Sequence, residues 1–275
     1  MSIKTGLKRD TIDKFYTNQN AVKLCINWIK SKIKIKKNDL IIEPSAGNGA
    51  FISEIKTLSN NYRFYDIKPE NEEIVKTDYL ELDEKLDFER IHIIGNPPFG
   101  RQSSMAIKFI KKSSFFNTIS FILPKSFKKE SMRKHFPLNF HLIFEHDIPE
   151  NSFLIDGEIS NVETVFQIWE RKDFNRELPQ KLNPIGFQFV NKNDNPDIAF
   201  RRVGICAGNI DKNFKDKSEQ SHYFIKFDGN VDEILEKLEN IKFEEGNTVG
   251  PKSIGKQEVI KEFNKQIYKN QKIQL

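Results

Sequence analysis

Apolar and polar positions recur along the chain in two rhythms, one near three and a half residues and one of short unbroken runs. From Gln19 to Lys34, Val22, Cys25, Ile26, Ile29 and Ile33 fall on one side of an amphipathic helix. The run Asp39–Glu43 predicts a strand that ends in Pro44-Ser45-Ala46-Gly47-Asn48-Gly49, with a second helix starting near Ala50. Arg63–Asp66 predicts a strand closing on an acid, with Pro69 in the turn beyond it. Ile74–Asp78 predicts a weaker third strand. Arg90–Gly95 predicts a fourth, very apolar, running into Asn96-Pro97-Pro98-Phe99-Gly100. Residues 104–113 suit a helix, and Thr118–Leu123 a fifth strand stopped by Pro124. Phe140–Glu145 and Glu163–Arg171 predict two more strands, which as a hairpin would complete a seven-stranded sheet. Strands alternating with helical segments argue for an α/β fold with a mostly parallel, doubly wound sheet.

From about residue 175 the character changes. Short β-like runs appear at Phe187–Val190, Ile198–Val203 and Tyr223–Phe227. A helix is predicted from Val231 to about Asn240, a loop at Gly250-Pro251, and a last helix over 256–268. The sequence therefore predicts a main domain over 1–175 and a small α+β C-terminal region over 176–275.

Composition narrows the class. With 37% hydrophobic and 12% aromatic residues among 275, the chain can bury a core and is not a disordered tail. Lys+Arg is 44 and Asp+Glu 39, a formal charge of +5. That excess permits a polyanionic partner and also fits an ordinary lysine-rich protein. Cys25 and Cys206 show no pairing or metal-ligand spacing, so neither a disulfide framework nor a metal site is expected. No apolar run approaches the roughly 20 residues of a membrane span. No N-terminal stretch resembles a signal peptide. The expectation is a soluble, intracellular protein without membrane contact.

Candidate chemistry lies at the ends of the predicted strands, where open α/β sheets bind nucleotides. The Glu43–Gly49 loop is neither a dinucleotide G-x-G-x-x-G nor a phosphate loop. Taken alone, it also reads as a tight strand–helix turn. Asp66 offers acceptors for two ribose hydroxyls, and Asp78 one for an adenine amino group. Taken singly, each also reads as a solvated turn residue. Asn96-Pro97-Pro98-Phe99 is more pointed. Its prolines remove two N–H donors and leave carbonyl acceptors. The Asn amide adds an acceptor and the ring a stacking face. These are the parts needed to hold a planar base by its amino group.

Those residues resemble the signatures of amino-methyltransferases. Asn96-Pro97-Pro98-Phe99 matches [DNS]-P-P-[YFW], and Glu43 to Gly49 resembles the family's cofactor loop. Lys14-Phe15-Tyr16-Thr17 resembles the short motif that precedes that loop in N6-adenine methyltransferases of TaqI-like order. Ser120–Phe127 resembles the fifth strand with its turn, and Val162–Trp169 the last strand. The resemblance spans residues 11–171. It implies a Rossmann-like class I methyltransferase fold, S-adenosyl-L-methionine as cofactor, and methylation of adenine N6 in DNA or RNA. Small RNA N6-adenine methyltransferases share Asn-Pro-Pro-Phe-Gly. The short C-terminal region departs from the long restriction-type enzymes, so the resemblance leaves DNA against RNA open.

The resemblance also implies roles. Phe15, Tyr16, Thr17, Glu43, Ser45, Ala46 and Gly47 would surround the cofactor's methionine end. Asp66 would hold its ribose and Asp78 its adenine. Asn96 and the Pro97 carbonyl would hold the target amine, with Pro98 stiffening the corner and Phe99 stacked on the base. Phe153 sits where the family often places a second stacking aromatic, and reads equally as a core residue. Lys125 and Lys128, with Lys129, Arg133 and Lys134, suit a phosphate-tracking surface or a solvated helix face. Arg201-Arg202 reads the same way. Residues 176–275 suit substrate recognition or a protein partner. Two other readings stand beside this one. One is a protein glutamine-amide methyltransferase, in which Tyr usually follows the prolines. The other is a catalytically silent cofactor-fold subunit that binds nucleic acid.

Overall fold

The stripe from Val22 to Ile29 forms helix α1 (Gln19–Lys32) in a computed structural model of the chain, which describes residues 15–83, 85–155, 157–243 and 252–267. Lys14, Gly250, Pro251 and residue 268, on which expectations above rest, lie outside the described residues. Asn18 caps α1, its side chain accepting from the Ala21 amide at 2.9 Å, which satisfies one of the helix's free N–H groups. The chain divides into two compact units with the break between Glu177 and Leu178.

In the first unit, β1 (Tyr16–Thr17) precedes α1, and β2 (Leu40–Glu43) follows it. Then come α2 (Ile52–Leu58), β3 (Asn61–Asp66), β4 (Val75–Lys76), β5 (Ile91–Gly95), α3 (Ser104–Ser113) and β6 (Thr118–Pro124). A one-turn helix α4 (Glu130–Arg133) leads to β7 (Phe140–Asp147), the hairpin β8 (Phe153–Ile155) and β9 (Glu158–Ser160), and β10 (Thr164–Arg171).

The main sheet has the order β4-β3-β2-β5-β6-β10-β7. The pairs β4/β3, β3/β2, β2/β5 and β5/β6 are parallel. β10 runs antiparallel to both β6 and β7. Alternation sorts the side chains. Ile41, Ile94, Ile122 and Phe166 share a core with α1 and α2, while Leu40, Ile42, Ile93, Phe121 and Trp169 share one with α3. Burial on both faces explains why these strands read as unbroken apolar runs. The order of strands and the inserted antiparallel strand are those of the Rossmann-like methyltransferase fold.

One part of this unit was not read from the sequence. β1, β8 and β9 form a separate three-stranded sheet, with Tyr16 opposite Leu154 and Thr17 opposite Phe153. The Asn18 amide also donates to the Ser152 carbonyl at 2.9 Å. The short segment before α1 is thus pinned by a hairpin more than 130 residues later in the chain.

At the amino ends of the parallel strands, His92 is wholly buried between Asp39 and Thr118. Its Nε2 lies 3.2 Å from Asp39 Oδ2 and its Nδ1 2.8 Å from Thr118 Oγ1. Burial lowers the His92 pKa despite the neighbouring Asp39 carboxylate. A depressed histidine stays neutral in the fold while the unfolded chain binds a proton. Stability is therefore lost as pH falls below the usual histidine value of about 6.5. The melting temperature is expected to drop between about pH 7 and 5 by more in the wild type than in His92→Asn. Equal drops would show that His92 titrates alike in both states.

The second unit builds a four-stranded antiparallel sheet in the order β11 (Phe187–Val190), β14 (His222–Phe227), β12 (Ile198–Arg201), β13 (Ile210–Asp211). Helices α5 (Val231–Leu238) and α6 (Lys256–Ile267) share its core, through Ile234, Leu238, Val259, Ile260 and Phe263 against Phe187, Phe200, Ile225 and Phe227. The edge strand β13 has only two residues and too little apolar alternation to be read in advance. No helix among the described residues is long and apolar enough to cross a membrane.

Candidate active site

Four strand ends and β1 converge on one cavity of about 160 Å³. β2 delivers Glu43 and the loop after it, and β3 delivers Asp66. The segment after β4 supplies Asp78, and β5 leads into Asn96, Pro97 and Pro98. Phe15, Tyr16 and Thr17 close the cavity from β1. The structure thus brings together twelve of the expected residues, among them Ser45, Ala46 and Gly47.

Gly47 has φ +54°, the left-handed region that an L side chain rarely adopts. Its amide donates to Asp66 Oδ2 at 2.8 Å, and the Lys68 amide donates to Asp66 Oδ1 at 2.8 Å. Asp66 therefore ties the glycine loop to the end of β3 and keeps lone pairs for further donors. Its neighbour Ile67 lines the cavity and is 54% exposed, leaving a flat apolar surface beside the acid. The Tyr16 hydroxyl donates to the Glu70 carboxylate at 2.6 and 2.8 Å. Asp78 is exposed and accepts from the Leu80 amide at 2.9 Å.

Asn96 is held in one orientation. Its Nδ2 donates to the Phe15 carbonyl at 3.1 Å and to Thr17 Oγ1 at 3.2 Å. A carbonyl only accepts, so the nitrogen must face it and the oxygen must face the other way. Asn96 Oδ1 is buried without a hydrogen-bond partner among the described residues. An orphaned acceptor of this kind costs about 1–3 kcal/mol, so it marks a place where a donor is missing. Pro97 has no N–H, and no described residue donates a backbone bond to its carbonyl. Beyond the corner, Gly100 has φ +68°, and a Cβ there would lie 2.7 Å from Met105 Cγ and 3.1 Å from the Met105 amide. Gln102 and Ser103, neither of them glycine, are also left-handed. Such residues cost on the order of 1–3 kcal/mol each and cluster at functional sites.

Glu43, at the end of β2, is 2% exposed, and its Oε2 also lacks a partner. Burial pushes its carboxyl up to about 8, and the like charge of Asp66 adds to the shift.

Four expected residues fall outside the cavity. Phe99 is 8% exposed and its ring stacks on Phe15, with centroids 6.0 Å apart at 25°. In this conformation its face is occupied by Phe15, and its carbonyl by the Met105 and Ala106 amides. Phe153 is buried in the core around α1, as expected of a strand residue backing Thr17, and does not reach the cavity. Lys125 and Lys128 flank Asp147, at 3.4 and 3.0 Å. Arg133 pairs with Glu145 at 2.8 Å. Their charges are met locally, by acids on a strand that sequence spacing could not place beside them. In the second unit, Arg201 and Arg202 donate to the Val203 and Gln220 carbonyls. Sequence reasoning missed Ile67, Lys68, Tyr79, Met105 and Phe109 in the lining. Only Ile67 carried a signal, being an apolar residue directly after a strand-ending acid.

No family model matches the chain. Over 131 residues it is 30% identical to the ribosomal RNA small subunit methyltransferase A of Mycoplasma mycoides subsp. mycoides, covering 41% of this chain and 49% of that protein. The chain thus spans about half the length of the curated relative it matches. Among solved structures, it is similar to a type I restriction-modification methyltransferase subunit from Streptococcus thermophilus (TM-score 0.45, 14% identity, 84% of this chain and 54% of that one). It is also similar to a dimethyladenosine transferase from Plasmodium falciparum (TM-score 0.41, 15% identity, 58% and 64%). The strand order is that of a Rossmann-like methyltransferase fold.

Proposed function

We propose that the first unit is an S-adenosylmethionine-dependent methyltransferase acting on an exocyclic amino group, N6 of adenine in a nucleic acid. The observation that carries this reading is the orphaned Asn96 Oδ1 beside the donor-free Pro97 in the cavity that Asp66 and Asp78 also line. The residues suit the cofactor. Asp66 keeps acceptors for two ribose hydroxyls, Ile67 offers an apolar face for adenine, and Asp78 lies within the same lining for the adenine amine. Tyr16, Thr17 and the Glu43–Gly47 loop would surround the amino-acid end. When bound, the cofactor supplies an electrophilic methyl group.

The chain's own task is to make a poor nucleophile competent. An adenine amino group shares its lone pair with the ring. Two acceptors, Asn96 Oδ1 and the Pro97 carbonyl, would draw its hydrogens out of plane and turn the lone pair toward the methyl. Positive charge grows on that nitrogen during transfer. Acceptors already fixed in place therefore stabilise the transition state more than the ground state. Asn96 meets this condition because Phe15 and Thr17 hold its amide. A base inside a duplex cannot reach such a corner, so the substrate nucleotide is unpaired or flipped. The Phe15 ring, now on Phe99, would yield its place to that base. Partial identity with a ribosomal RNA methyltransferase supports a nucleic acid as the polymer.

The test is transfer of radiolabelled methyl to structured RNA, single- and double-stranded DNA and peptide, followed by mass spectrometry of the nucleosides. The expected product is N6-methylated adenosine or deoxyadenosine. Label on another atom, on peptide alone, or nowhere would overturn the reading. Asp66→Ala removes the ribose acceptor and unties Gly47 and Lys68. It is expected to weaken cofactor binding by about 2 kcal/mol, roughly 30-fold, by calorimetry. Unchanged affinity would contradict the role.

A further inference from the structure

Thr17 carries a buried hydroxyl at the edge of the candidate site. It is 6% exposed and lines the cavity together with Asn96. β1 is only two residues long, so its position depends on what it pairs with. Thr17 stands opposite Phe153, which is 1% exposed. The next residue, Asn18, is tied to the same hairpin twice. Its amide donates to the Ser152 carbonyl at 2.9 Å, and its side chain to the Asn151 carbonyl at 2.6 Å. The base of the hairpin is closed in turn by the Asn151 amide, which donates to Asn161 Oδ1 at 2.8 Å. Thr17 is thus held from both sides by contacts that do not involve the cavity.

The Asn96 amide nitrogen has two hydrogens and two acceptors, the Phe15 carbonyl at 3.1 Å and Thr17 Oγ1 at 3.2 Å. The corner is tied from a third side by Ser45 Oγ, which donates to the Asn96 carbonyl at 3.3 Å. The two acceptors differ in origin. The Phe15 carbonyl is backbone and would be present whatever residue stood there. The Thr17 oxygen comes from the side chain alone. Valine has nearly the same shape and lacks it. In Thr17→Val one amide hydrogen would be left buried without an acceptor, a costly state that favours turning the amide toward water. Oδ1 would turn with it, because the oxygen and nitrogen share one rigid plane.

We propose that Thr17 is a positioning residue for the target amine: its hydroxyl holds the Asn96 amide so that Oδ1 stays aimed at the amine, and it contributes nothing to cofactor affinity. The proposal rests on the reading of the first unit as an S-adenosylmethionine-dependent enzyme. The competing role is a contact with the cofactor's amino-acid end, since a hydroxyl that accepts from Asn96 can still donate its own hydrogen. The two roles differ in what their loss changes. A positioning hydroxyl is missed in the rate, because it serves a group that acts in the transition state. A cofactor contact is missed in the affinity.

The experiment compares Thr17→Val and Thr17→Ser with the wild type, all as the full chain. In single turnovers with saturating S-adenosylmethionine, Thr17→Val should transfer methyl about tenfold more slowly to the nucleic acid that the wild type methylates. Its calorimetric affinity for S-adenosylhomocysteine should stay within about twofold of the wild type. Thr17→Ser, which keeps the hydroxyl, should recover most of the rate. NMR of the free protein needs no substrate. The Asn96 side-chain amide signals, identified by their loss in Asn96→Ala, should exchange hydrogen with water faster in Thr17→Val than in the wild type or Thr17→Ser. Four results would each overturn the proposal: a wild-type rate in Thr17→Val, a loss of cofactor affinity that matches the loss of rate, Thr17→Ser as slow as Thr17→Val, or unchanged amide exchange. Absence of transfer by the wild type would instead sink the methyltransferase reading, and the exchange rates would still decide whether Thr17 holds the amide.

Discussion

Replacing Asn96 with alanine is expected to lower the methyl-transfer rate by roughly 10²–10³-fold, about 3 kcal/mol, the cost of removing one preorganised electrostatic group from a transition state. The geometry explains why so small a change should matter. The amide nitrogen is committed to the Phe15 carbonyl and Thr17 Oγ1, so Oδ1 is fixed and unsatisfied before substrate arrives. Its reorganisation is already complete, which is the condition under which a dipole favours the transition state. Cofactor affinity should change little, because the variant removes an acceptor for the substrate amine. Single-turnover rates with saturating cofactor, together with calorimetric affinity, separate the two effects. Full activity in the variant would refute the assignment. Loss of cofactor binding equal to the loss of rate would relocate Asn96 to the cofactor's side.

Glu43→Gln is expected to stabilise the free protein at pH 8 by several kcal/mol and hardly at all near pH 4.5. In the unfolded chain the carboxyl ionises near 4.5, whereas in the fold burial holds the proton up to about 8. Between those values the unfolded state releases a proton that the folded state retains. The stability contribution is therefore complete below the unfolded value and is lost as pH rises through the folded one. A shift of about 3.5 units corresponds to on the order of 5 kcal/mol at full extent. Glutamine does not titrate, so its stability curve should lack this decline. Urea unfolding at several pH values checks it, and parallel curves for variant and wild type would show that Glu43 ionises normally in the fold. Such a curve describes a residue kept at the expense of stability, as functional acids often are.

Much of the main sheet was readable because its signals are local. The stripe through Val22, Cys25, Ile26 and Ile29 and the runs Leu40–Ile42 and Ile91–Ile94 carry the period of their element in a handful of residues. The corner at Asn96 was readable for a similar reason, since two prolines constrain the backbone wherever they fall. What escaped the reading is non-local. The pairing of β1 with β8 joins segments far apart in sequence, and it turned Phe153 from a candidate stacking ring into core. The ion pairs of Lys125 and Lys128 with Asp147 depend on β7 returning beside the turn after β6.

The linear chain thus determined the long helices and the seven strands of the main sheet, the alternation that makes the sheet doubly wound, and the chemical kinds of side chain at each strand end, though not the short strands β1, β8, β9 and β13. Those follow from periodicity, proline geometry and side-chain chemistry over a few neighbouring residues. Only the tertiary structure decided which of those side chains face one another, which are already satisfied, and which are left wanting a partner. Solvation and hydrogen bonding depend on every group packed around an atom. That is why the isolation of Glu43, the fixed amide of Asn96 and the covering of Phe99 by Phe15 could emerge only once the strands had closed around them.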